Sequence, residues 1–160
     1  MHITASERGL TFLERGISLA SLSILATAVL PMAEMTVKRT KELELRRSLR
    51  IVRTAIDDYK ADYDRAVEEN KINAAINETG YPEDLETLLA GDDWGGMYTY
   101  KRRYLRRIPS DPFDKFDDGW GLRAYADDPD STVYGGGDVY DIYSQSDGIA
   151  IDGTPYNTRK

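Results

Sequence analysis

The chain has no cysteine and a single histidine, His2, among its 160 residues. The first absence rules out a disulfide framework and thiolate chemistry. The second argues against zinc centres and histidine-based acid–base catalysis. Excess positive charge is also missing. The formal net charge is −7, so the overall field does not steer the protein towards nucleic acid. Apolar residues make up 41% of the chain, slightly below a typical globular value, which implies one modest core. A small domain without cross-links gains from a bound metal, and the acidic residues are the place to look for one.

Long hydrophobic runs are scarce as well. Residues 16–33, GISLASLSILATAVLPMA, form an uncharged stretch. Its length lies at the short end of the roughly 17–25 residues that cross a bilayer as a helix. Ser18, Ser21, Ser23 and Thr27 punctuate it, and small residues let helices approach closely. Three readings compete on this pattern alone: a buried core helix, a secretory signal and a simple membrane anchor. For the signal, Arg8 and Arg15 supply a basic region and Ala26-Thr27-Ala28 a small-x-small cleavage pattern. The basic residues after the run, Lys38, Arg39, Lys41, Arg46 and Arg47, would by the positive-inside rule stay cytoplasmic.

The residues just before the run read Ser6-Glu7-Arg8-Gly9-Leu10-Thr11-Phe12-Leu13-Glu14. This resembles the leader junction of the type IV pilin superfamily, where a short hydrophilic leader ends in glycine and a glutamate follows the first apolar residues. The resemblance implies cleavage after Gly9 by a prepilin peptidase, a mature chain starting at N-methylated Leu10, and Glu14 as its fifth residue. Pro31 lies where the family usually carries a proline. Leu10 stands in place of the usual Phe. Arg15 and Gly16 interrupt the usual apolar run, which puts Arg15 in a position to neutralise Glu14 within the chain.

A helical pattern continues over residues 33–70. Leu45, Leu49, Val52, Ile56, Tyr59, Tyr63 and Ala66 recur at spacings of four and three, a stripe that suits an amphipathic helix lying on its own domain. Together with the apolar run this predicts one long helix from Leu10 to about Glu69. Its charges are segregated. Residues 38–53 carry seven basic and two acidic side chains, and residues 57–69 carry two basic and six acidic. A solvated face explains such runs, and so does register-setting between staggered parallel helices.

Beyond it, Gly80-Tyr81-Pro82 reads as a turn and residues 83–89 as a short helix. The basic segment 101–107 reads as a solvated connector. Strands are expected at 121–126, 132–134 and 139–144, giving an α+β domain with a small antiparallel sheet packed on the helix. Gly135-Gly136-Gly137 has no helix after it and is a turn, not a phosphate cradle. Asp141 and Asp147 are the one carboxylate pair to weigh for acid–base work. With no nucleophile motif, the reading is a non-enzyme.

Several motifs occur in order: Tyr81-Pro82; Leu85, Leu88 and Leu89; Tyr104-Leu105-Arg106-Arg107-Ile108-Pro109-Ser110-Asp111-Pro112; Tyr140-Asp141-Ile142-Tyr143-Ser144; and Asp147-Gly148. They resemble the major pseudopilin of type II secretion systems. That resemblance implies a leader at 1–9, a transmembrane and filament-core helix at 10–35, its amphipathic continuation at 36–70 and a globular pseudopilin domain at 71–160. It implies a homo-oligomeric helical filament at the bacterial inner membrane, with the globular domain in the periplasm. Minor pseudopilins and an inner-membrane assembly platform would be its partners, and nucleic acid would not. It also implies calcium near the C-terminus, with Gln145, Asp147 and Asp152 as ligands. A type IV pilus subunit and a membrane-anchored binding domain are the alternatives. Eleven aspartates lie between Pro109 and Asp152, and turn formation is the plain account of most of them.

Overall fold

The computed structural model describes residues 11–75, 78–115 and 118–158. The elements run α1 (Phe12–Glu68), α2 (Leu85–Ala90), β1 (Trp120–Arg123), β2 (Asp141–Ser144) and a 3-10 turn (Tyr156–Thr158). The α+β class is as expected: one long helix and a small antiparallel sheet. By contacts the chain divides into two units, Met1–Arg39 and Thr40–Lys160.

Within the first unit, α1 opens on Thr11, whose hydroxyl accepts the Glu14 N–H at 3.3 Å. Acidic Glu14 in the first turn also complements the helix dipole. The helix continues through Pro31, although proline supplies no N–H to the ladder. Among the described residues, no helix is long and apolar enough to cross a membrane.

In the second unit the expected stripe is the core-facing side of α1. Leu45, Leu49, Val52 and Ile56 pack with Leu88, Leu105, Trp120, Val139 and Ile142. Burying one such side chain fully is worth about 1.5–3 kcal/mol. Farther along the helix, Tyr63 and Ala66 join Trp94 in a second cluster flanked by Tyr59 and Tyr104. The α1 chain ends as Asn70 turns into the left-handed region, φ 53°. Asp84 caps α2 by accepting the Thr87 N–H at 2.7 Å.

Strands β1 and β2 pair antiparallel, Trp120 opposite Ser144 and Arg123 opposite Asp141. Gly121 sits under the ring of Tyr143; a Cβ there would lie 2.3 Å from Tyr143 Cζ. The sheet has two strands, and the expected strand at 132–134 does not form. Local bonds occupy that segment instead. The Ser131 hydroxyl donates to Val133 O and accepts the Val133 N–H, while Tyr134 OH donates to Asp138 O. Side chains that bond nearby backbone compete with ladder formation.

Candidate functional site

Two regions hold the residues singled out from the sequence. The first is the start of α1. Gly9 and Leu10 lie outside the described residues. Glu14 and Arg15 are both exposed on the first turns and form no ion pair with each other, since adjacent helical side chains point away from one another. Arg15 therefore does not neutralise Glu14 in the single chain. Along the same unit, apolar side chains stand exposed, from Phe12 (96%) through Ile17, Leu22 and Ile24 (73%) to Met32 and Val37. The hydroxyls among them are turned inward. Ser21, Ser23, Thr27 and Thr36 donate to the carbonyls of Ile17, Leu19, Ser23 and Met32 at 2.8–2.9 Å. Satisfied within the helix, they carry little penalty if water is removed from this surface.

The second region is the loop after β2. Gln145 and Asp147 line a cavity of about 250 Å³ together with Asp114, Lys115 and Asp118. Gln145 spends its amide on the carbonyls of Asp118 and Gly119, both at 3.3 Å. Asp152 does not line that cavity. Its Oδ1 accepts the Thr154 N–H at 3.0 Å, and its Oδ2 faces Arg46 on α1 at 3.6 Å. The expected triad of Gln145, Asp147 and Asp152 is thus not brought together. Among the described residues, no group of three or more Asp, Glu or His side chains is close enough to hold a metal ion.

Four other aspartates of the segment accept backbone amides, three of them locally. Asp111, Asp114, Asp127 and Asp138 accept the amides of Phe113, Gly119, Ala124 and Tyr125 at 2.7–2.8 Å. The two amides facing Asp127, from Ala124 and Gly135, hold its carboxyl below the usual range. Asp141 is bound to Arg53 and Arg123, and Asp147 is exposed elsewhere in the loop. Neither meets the other as a catalytic pair would.

Two polar networks escaped the sequence reading. Buried Glu42 accepts the Ile151 N–H at 2.8 Å and Tyr156 OH at 3.0 Å, so the C-terminal loop is fastened to α1 by the chain itself. The phenol of Tyr156 also stacks on Phe113, ring centroids 4.1 Å apart. Asp62, 2% exposed, takes bonds from Arg102, Tyr98 and Tyr104. Arg102 belongs to the basic segment 101–107, which is therefore not simply a solvated connector; Leu105 beside it is buried. Glu42 precedes Leu45 by three residues, and Asp62 lies three beyond Tyr59 and four before Ala66. Their places beside the stripe were the one available signal.

No family model, curated protein or solved structure matches the chain.

Proposed function

We propose that this chain is a structural subunit of a helical filament of the pseudopilus kind, most like the major pseudopilin of type II secretion, and not an enzyme. The observation that carries the reading is the apolar, exposed surface of α1 within Met1–Arg39. Exposed apolar side chains in this number on one helix ask for a covering. Small residues and internally satisfied hydroxyls suit close helix–helix packing, with lipid as the reservoir before assembly.

In this reading a prepilin peptidase cuts after Gly9, the protein resides in the inner membrane with the globular domain outside the cytoplasm, and assembly partners of the secretion system polymerise it. Calcium at the loop of Gln145 and Asp147 belongs to the same proposal. Electron microscopy of the overexpressed full chain, with mass spectrometry of its N-terminus, tests it. Filaments whose subunits begin at Leu10 are expected. A chain that begins at Val29, or that remains a dispersed monomer when co-expressed with an assembly machinery, would sink the proposal.

A further inference from the structure

A second cavity, about 490 Å³, lies beside the ends of β1 and β2 at Arg123 and Asp141, within the roughly 300–1,000 Å³ of small-molecule sites. Tyr125 and Tyr140 form one wall. Arg53, Arg123, Asp141 and Asp127 supply its charged lining.

The wall is aromatic, exposed and fixed in place. Tyr125 is 60% and Tyr140 45% exposed, yet both rings are packed. Tyr125 stacks on Tyr81 at 5.7 Å and 23°, and Tyr140 meets Tyr81 and Tyr125 edge-on at 5.1 and 5.4 Å. Neither hydroxyl has a hydrogen-bond partner among the described residues. A tyrosine face held this way binds with little loss of side-chain freedom.

The charged groups are already committed to one another. Arg53 grips Asp141 with Nε to Oδ1 at 2.6 Å and Nη2 to Oδ2 at 3.2 Å. Arg123 Nη1 stands 3.5 Å from Asp141 Oδ2. The rest of its guanidinium donates to Ser131 O at 2.7 Å and Asn157 O at 3.2 Å, and it lies 4.2 Å from the Tyr143 ring centroid. Two arginines and two aspartates leave the lining formally neutral, so neither a phosphate nor a polyamine is favoured. A carboxylate held by guanidinium still offers lone pairs to hydroxyl donors.

An aromatic wall beside neutral but strongly polar groups fits a ligand with one apolar face and a rim of hydroxyls. We propose that this cavity binds a neutral saccharide, one pyranose ring lying on Tyr125 with hydroxyls directed to Asp141 and Arg53. A proline-rich peptide also docks on tyrosines, but it brings carbonyl acceptors and no hydroxyl donors for the carboxylate. This site does not depend on whether the chain forms filaments.

The test is a titration of the ¹⁵N-labelled full chain, kept in solution by a detergent without a sugar headgroup, using cellohexaose, maltohexaose and a decaproline peptide. Saturable shifts of the Tyr125 and Tyr140 amides and of Arg53 Nε with at least one of the sugars are expected. Tyr125→Ala should weaken that binding about tenfold or more, as removal of an anchoring aromatic does. Tyr125→Trp, which keeps a flat face, should retain it. Absence of saturable shifts with both sugars overturns the proposal. So does equal binding by Tyr125→Ala with unchanged circular dichroism, and so does a response to decaproline alone.

Discussion

Arg102 Nη1 stands 2.7 Å from Asp62 Oδ2, joining the segment after α2 to a carboxylate buried on α1. Tyr104 OH donates to the same oxygen at 2.7 Å, and Tyr98 OH donates to Oδ1 at 3.0 Å. Trp94 Nε1 in turn donates to Tyr104 OH at 2.7 Å. The second aromatic cluster is therefore organised around a single charge. Removing Asp62 would leave a guanidinium and two phenols without their acceptor. Breaking a buried pair from one side costs about 3–5 kcal/mol. Because the Arg102 side chain is 37% exposed and can turn to water, Asp62→Ala should fall near the lower figure, about 3 kcal/mol. Denaturant unfolding followed by Trp94 fluorescence checks this. A loss below about 0.5 kcal/mol, the level of ordinary surface substitutions, would show that the network adds nothing.

Alkaline pH should unfold this domain earlier than its carboxylates would suggest. The Tyr59 phenol is pushed up to about 12, first by burial and then by Asp92, Glu83 and Glu78. Burial and the bond to Asp62 raise Tyr104 further. An unfolded phenol ionises near 10. The folded state therefore holds protons that the unfolded state releases. The stability Tyr59 lends is complete below pH ~10 and is lost as pH climbs towards about 12, and that of Tyr104 is lost above it. Tyr59→Phe removes one such proton and should move the alkaline transition to higher pH, read by tyrosinate absorbance alongside circular dichroism. An unmoved transition would assign the effect to other groups.

The stripe of α1 was legible because periodicity reports directly which face is buried: Leu45, Leu49, Val52 and Ile56 all reach the core. Helix ends were legible to within two residues, since Asp84 and Asn70 carry local capping and turn chemistry. The third strand was misread because Val133 and Tyr134 have strand-forming side chains, while their backbone is claimed by neighbours such as Ser131. Asp152 faces Arg46, a partner too remote in sequence for any local pattern to announce. Long-range polar pairing leaves no period to count, and the same holds for Asp62 with Arg102 and for Glu42 with Tyr156.

Glu42 should prove to be the anchor of the C-terminal loop. One carboxylate oxygen receives both the Ile151 amide and the Tyr156 hydroxyl. Hydrogen bonds to a charged acceptor are worth about 1.5–3 kcal/mol. Glu42→Ala should destabilise by about 2 kcal/mol and, more tellingly, raise hydrogen exchange at Ile151 while leaving Ile142 in β2 protected. Unchanged protection at Ile151 would mean that Tyr156 packing alone holds the loop.

Calcium, if it follows the proposed loop, must act through Asp147 and not Asp152, which is engaged by Thr154 and Arg46. The thermal midpoint of the full chain should rise with added calcium and fall with chelator. Asp152→Ala should keep that response and itself cost at most about 1 kcal/mol, since its ion pair is half exposed. Asp147→Ala should abolish the response. A midpoint indifferent to calcium and chelator would leave these aspartates as turn formers only.

Glu14 offers the sharpest test of assembly. In the single chain it is exposed and makes no ion pair with Arg15. Its contribution to the isolated helix is limited to the dipole, about 0.3–1 kcal/mol. Once the surface of α1 is covered by neighbours or lipid, an ionised carboxylate there is costly unless it finds a partner. Cleavage after Gly9 would create one, the amine of Leu10 on an adjacent subunit, within reach when helices stack with a short axial offset. Glu14→Ala should therefore keep its helical content and its membrane extraction but yield few filaments. Arg15→Ala should still assemble, because Arg15 does not balance Glu14 within the chain. Electron microscopy of both variants expressed at equal levels decides the matter. Normal filaments from Glu14→Ala would refute the pairing, and a failure confined to Arg15→Ala would transfer the charge requirement to the arginine.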